Sequence, residues 1–159
     1  MKLMFLTPHA VAGIVIAAKI QNPFLAIILA FFSHFVLDAI PHWTTSITNL
    51  LRDKKAFVVL LIDSFLSLGL GLFFAFREGF STSKFWLILI CAGMAILPDA
   101  MRIPFYFFHC RSRFFQGWEN IHISIDQDVR RNTLFFGKKT FGILTQMLAI
   151  LLLFWLLLS

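Results

Sequence analysis

The chain reads as an all-α integral membrane protein, a single domain over residues 1–159 built as a bundle of about five transmembrane helices. Three observations predict it. Hydrophobic residues make up 59% of the sequence and charged ones only 14%, with a mean hydropathy of +0.84. A soluble domain of this size has too little interior to hide that much apolar surface. Four apolar runs reach or approach the roughly 20 residues that cross a bilayer as a helix. The basic residues, finally, fall mostly in a few loops between those runs, with Arg102 inside the fourth.

The elements follow in order. The chain opens Met1-Lys2 and turns apolar as a signal peptide does, but Pro8-His9 interrupts the run early and further spans follow, so the segment is read as retained. Thr7-Pro8 has the form of an N-cap followed by proline at the first helical position, which predicts a short helix over 8–20. Ala10, Gly13 and Ala17 give that helix a small-residue face for close packing. Gln21-Asn22-Pro23 turns into a second helix, 24–43. Apolar runs predict helices at 56–76, 85–108 and 140–158.

The 109–139 loop is too long to be a plain connector. Phe114, Trp118, Ile121, Ile125 and Val129 recur at three- or four-residue spacing, which suits a cytoplasmic amphipathic helix at the interface; the alternation from Ile121 to Asp126 also suits a strand.

With five helices, the N-terminus and the 44–55 and 109–139 loops share one side. That side holds ten basic residues (Lys2, Arg52, Lys54, Lys55, Arg111, Arg113, Arg130, Arg131, Lys138 and Lys139) against three (Lys19, Arg77 and Lys84) on the other. The positive-inside rule then sets the N-terminus in and the C-terminus out. A net charge of +6 spread over such loops suits anionic membrane lipids as partners; no exposed basic face for nucleic acid is apparent. Cys91 and Cys110 lie in unlike surroundings and are expected as free thiols.

Within the apolar runs stand a few polar residues. In FFSHFVLDAIPHW, His34, Asp38 and His42 recur every four residues, and each step of four turns only about 40° on a helix, so they form one ridge. Pro41 loosens the last turn before His42. On the five-helix topology His9, Asp63, Asp99 and His122 fall in the same, cytoplasmic half. A carboxylate at membrane depth costs about 2.5–3.5 kcal/mol, and mutual burial around a cation offsets that cost. Imidazole and carboxylate are ligands that zinc, manganese or iron accept. His34, Asp38, Asp63 and Asp99 are therefore expected to crowd one pocket opening to the cytoplasm, with His9 at its edge. The ordinary readings stay open beside this one: a membrane-buried histidine hydrogen-bonds a neighbouring helix, Asp63 does the same, and Asp99 pairs with Arg102 one turn on.

The segment TPHAVAGIVIAAKIQNPFLAIILAFFSHFVLDAIPHW resembles the opening of the small bacterial membrane-bound metal-dependent hydrolases of the YdjM type. The matching residues are His9, then His34, Asp38, Pro41 and His42 as H-x-x-x-D-x-x-P-H, and later Leu97-Pro98-Asp99. Where the family carries a histidine pair, this chain reads Glu119-Asn120-Ile121-His122; either Glu119 substitutes as an oxygen ligand or the site has lost one member. The resemblance implies an inner-membrane protein holding a divalent metal ion and performing hydrolysis.

His9, His34, His42 and His122 are thus candidate nitrogen ligands, with Asp38 and Asp99 as oxygen ligands. Asp38, Asp63 and Asp99 are the candidate catalytic carboxylates. The expected divalent metal is zinc, with manganese or iron as alternatives. At this depth the expected substrate is a lipid or lipid-linked phosphoester, with Arg111 or Arg113 for its phosphate. The competing expectation is a non-enzymatic membrane protein, either a metal or proton pathway or a structural bundle with a polar seam.

Overall fold

A computed structural model describes residues 2–3, 5–40, 45–46, 54–132 and 139–158. The architecture is all-helical apart from a two-residue antiparallel pairing of Lys2–Leu3 with Thr45–Ser46. Helices α1 (Leu6–Lys19), α2 (Pro23–Asp38), α3 (Lys54–Arg77) and α4 (Ser83–Ala100) are followed by a short α5 (Ile103–Phe107). Then come α6 (Arg113–Asn132) and α7 (Lys139–Leu158).

Short α1 is the axis of the assembly: it packs against α2, α3, α4 and α7. Its small-residue face makes this possible. Ala10 and Ala17 are fully or almost fully buried, and Gly13 lies directly against the α4 backbone at Cys91 and Ala92. Around this axis the other helices present apolar side chains outward, among them Phe24, Phe32, Phe65, Leu68, Leu148 and Leu151, each more than half exposed. Two stretches, Phe57–Arg77 and Ser83–Tyr106, are long and apolar enough to cross a membrane; Leu6–Lys19, Pro23–Asp38 and Ile143–Leu157 are shorter apolar helices. Both cysteines are free, Cys91 buried and Cys110 exposed.

Three boundaries differ from the sequence reading, each for a physical reason. Helix α1 begins at Leu6, not Pro8, and Thr7 is not its N-cap. The cap comes from α3: the Asp63 carboxylate accepts from the backbone N–H of Leu6, from that of Thr7 at 3.2 Å and from the Thr7 hydroxyl. Ser67 lies 3.2 Å from the same hydroxyl. A carboxylate at a helix N-terminus satisfies donors that no preceding turn can and complements the helix dipole.

Helix α2 starts as expected, with the Asn22 side chain accepting from Leu25 N–H at 3.2 Å and Pro23 in the first turn. It ends at Asp38 rather than 43, because Pro41 disfavours helical geometry in the residue before it. The 85–108 helix is divided: α4 closes at Ala100 and α5 restarts at Ile103, with Pro98 and Pro104 each removing an amide donor. Between 109 and 139 the strand alternative is overturned, since residues 113–132 are helical.

Removing the Asp63 carboxylate should loosen α1. Asp63→Ala is expected to lower stability in detergent by about 1–2 kcal/mol, the range for lost caps, read as a lower thermal unfolding midpoint. An unchanged midpoint would show that another group caps α1 equally well.

Candidate functional site

The polar residues gather where helix ends meet. His9 sits in the first turns of α1, His34 and Asp38 in the last turn of α2, Asp99 at the close of α4 and His122 midway along α6. His9 and His34 are fully buried, and Asp99 and His122 are 6% and 4% exposed. The ring centroids of His9 and His34 are stacked 4.2 Å apart, and those of His34 and His122 lie at 5.6 Å.

Hydrogen bonding on the far side of each ring decides what faces inward. His34 Nδ1 lies 2.9 Å from the Ala95 carbonyl oxygen. A carbonyl only accepts, so Nδ1 carries the proton, and in the neutral imidazole Nε2 then presents a lone pair. His122 repeats the arrangement, with Nδ1 at 3.1 Å from the Trp118 carbonyl oxygen. Outer-side anchoring of this kind orients histidines toward metals.

His34 Nε2 faces Asp38 Oδ2 at 3.2 Å and Asp99 Oδ1 at 3.9 Å, and His9 Nε2 faces Asp38 Oδ1 at 3.5 Å. These are close approaches without hydrogen-bond geometry for the histidines: both nitrogens of His9, His34 Nε2, His122 Nε2 and Asp99 Oδ2 are buried with no hydrogen-bond partner. A neutral His34 thus aims a lone pair at two carboxylates. That arrangement is repulsive unless a cation, a proton or a metal ion, stands between them.

The spacing suits a metal. Two ligands about 2.1 Å from a tetrahedral zinc stand about 3.4 Å apart. His9, His34 and Asp99 form one group whose ligand atoms all lie within 4.8 Å of one another, and His34, Asp38 and His122 form a second. His34 belongs to both.

The surroundings maintain the charge states. Burial and the nearby Arg102 guanidinium lower the His122 pKa, which keeps its imidazole neutral and able to ligate. Burial pushes the Glu119 carboxyl up, but hydrogen bonds from Arg102 and Tyr106 outweigh it and hold Glu119 below the ordinary range, hence ionised.

Two expectations are corrected. Asp63 does not join the pocket with His34, Asp38 and Asp99; its carboxylate is committed to the α1 N-terminus. Glu119 is engaged elsewhere than as an oxygen ligand: Arg102 donates to it through Nε at 2.9 Å and through the guanidinium at 3.0 Å, and the Tyr106 hydroxyl donates at 2.6 Å. The expected Asp99–Arg102 pair is present at 3.2 Å through Oδ1, leaving Oδ2 bare. His42 lies outside the described residues. Sequence reasoning missed the Ala95 carbonyl, which carries no side-chain signal, and the role of Arg102 beyond its helical neighbour Asp99.

A cavity of about 780 Å³ between α1, α2 and α7 is lined mainly by apolar residues and by none of these histidines or carboxylates, so it is not the site. No protein-family model, characterised protein or solved structure matches the chain.

Proposed function

We propose that the chain is an integral membrane protein with a buried divalent-metal centre, acting as a metal-dependent hydrolase at the cytoplasmic lipid interface. One observation carries the reading: His9 Nε2, His34 Nε2, His122 Nε2 and Asp99 Oδ2 are buried with no hydrogen-bond partner, and His9, His34 and Asp99, like His34, Asp38 and His122, stand at ligand spacing. The two long apolar helices and the outward apolar side chains support insertion in a bilayer, with the N-terminus in and the C-terminus out by the loop charges. The resemblance to YdjM-type hydrolases agrees with this reading.

His34 would hold the ion, with His9 and Asp99 in one arrangement or with Asp38 and His122 in the other, zinc first and manganese or iron as alternatives. A divalent ion there would supply Lewis-acid activation of water and of a phosphoryl oxygen. The chain's own residues orient and exclude. Ala95 and Trp118 fix the His34 and His122 rings. Asp38, the most exposed of the five at 16%, is placed to take a proton from an incoming water as general base. A site at a helix-end layer, in a chain that also exposes Arg111 and Arg113, favours a lipid or lipid-linked phosphoester whose phosphate lies at the headgroup level.

The test is reconstitution into vesicles containing a long-chain lipid phosphate or phosphodiester. Phosphate or headgroup release is expected, abolished by chelation, restored by zinc or manganese, and lost in Asp38→Asn. Bound metal without release from either lipid class would overturn the hydrolase reading and leave a non-enzymatic metal protein.

A further inference from the structure

The α6 helix delivers one candidate ligand, His122, but it does not turn its most apolar side to the bundle. Glu119 and His122 are buried while Phe114 and Ile121 remain exposed, 59% and 46%. Its attachment combines ring contacts, of Trp118 and His122 against Phe31, Phe35 and His34, with a set of polar contacts, and these converge within one turn of His122.

The break between α4 and α5 prepares the receiving surface. Met101 N–H bonds to the Leu97 carbonyl and Arg102 N–H turns back to that of Asp99. The Pro98 carbonyl accepts instead from the Trp118 indole at 3.0 Å. One residue along, Glu119 receives Arg102 through two guanidinium nitrogens, at 2.9 and 3.0 Å, and the Tyr106 hydroxyl at 2.6 Å. The remaining guanidinium nitrogen holds Asp99 Oδ1 at 3.2 Å. One side chain thus grips a candidate ligand of α4 and the helix that carries another.

We infer that Arg102 and Glu119 are positioning residues which dock α6 so that His122 completes the metal centre. The inference rests on the metal-site reading above. The two-pronged fork fixes orientation as well as distance, which a point charge does not. His122 lies three residues beyond Glu119, so it faces the same side of the helix. With the clasp released, the described contacts that hold α6 at this level are the indole bond and the ring contacts with Phe31, Phe35 and His34, and His122 leaves the site. Glu119 therefore acts through His122, and the two residues should behave as one unit.

The experiment is a double-mutant cycle on the full chain in detergent, read by zinc affinity and by the absorption spectrum of the cobalt(II)-loaded protein. Glu119→Gln should weaken zinc binding about 10–100-fold, the range for residues that orient ligands. It should also shift the cobalt spectrum to that of His122→Asn. The double variant should lose no more than the single ones, because an already displaced His122 has nothing left to contribute. Tyr106→Phe, which deletes one donor to Glu119, should move both readouts the same way by a smaller factor, and it serves where Glu119→Gln does not fold.

Additive losses, or a wild-type cobalt spectrum in folded Glu119→Gln or Tyr106→Phe, would overturn the positioning role while leaving the metal centre standing. A wild-type protein that binds neither zinc nor cobalt would overturn both.

Discussion

His34→Asn is expected to leave the protein folded and monodisperse but without bound metal. His34 is shared by both groups of potential ligands, so its removal leaves neither intact. The loss should exceed the roughly 100-fold upper range for residues that merely orient a ligand. The fold should survive, because the asparagine amide can still donate to the Ala95 carbonyl that Nδ1 now engages at 2.9 Å. If His34 were only an interhelical hydrogen bonder, the bond would be worth about 0.6 kcal/mol, and the variant would match wild type in every assay. Metal analysis of the two purified proteins decides it. Equal and negligible content in both means that a proton, not a metal ion, separates His34 from Asp38 and Asp99.

Gly13→Ala should be the most damaging glycine-to-alanine change among the described residues. A Cβ at this position would lie 2.4 Å from the Cys91 carbonyl oxygen, 2.7 Å from its carbon and 2.9 Å from Ala92 Cα. All three are backbone atoms, so no rotamer change relieves the clash, and α1 and α4 must move apart. Overpacking typically costs about 1–3 kcal/mol, and the upper end or beyond is expected here. The effect should reach the site, because α1 carries His9 and α4 carries both Asp99 and the Ala95 carbonyl. Gly69→Ala is the control: nothing lies within 4 Å of its added Cβ, and alanine favours a helix interior by about 0.8–1 kcal/mol. Thermal unfolding in one detergent should separate the two variants clearly. Similar midpoints would show that the α1–α4 approach is looser than the geometry here.

The features legible in the sequence are those that a few neighbouring residues encode. Apolar runs announced the long helices, Asn22-Pro23 announced the start of α2, and the three- and four-residue spacing after Phe114 announced α6. The Ala10-Gly13-Ala17 face announced a close helix contact, though not its partner. The i, i+4 spacing placed His34 and Asp38 on one ridge, because helical periodicity is a local property.

What each polar group does depends on what stands opposite it, and only packing decides that. Asp63 and Asp99 look alike in the sequence, each an aspartate inside an apolar run. The first meets the open N-terminus of α1, 57 residues earlier in the chain, and becomes its cap. The second meets His34 and the Arg102 guanidinium and keeps one oxygen bare. Glu119 likewise read as a ligand until the α4–α5 break turned Arg102 toward it. Periodicity sets which face of a helix a residue occupies; the charge or lone pair that meets it across the interface is contributed by a distant segment, and no local spacing records it.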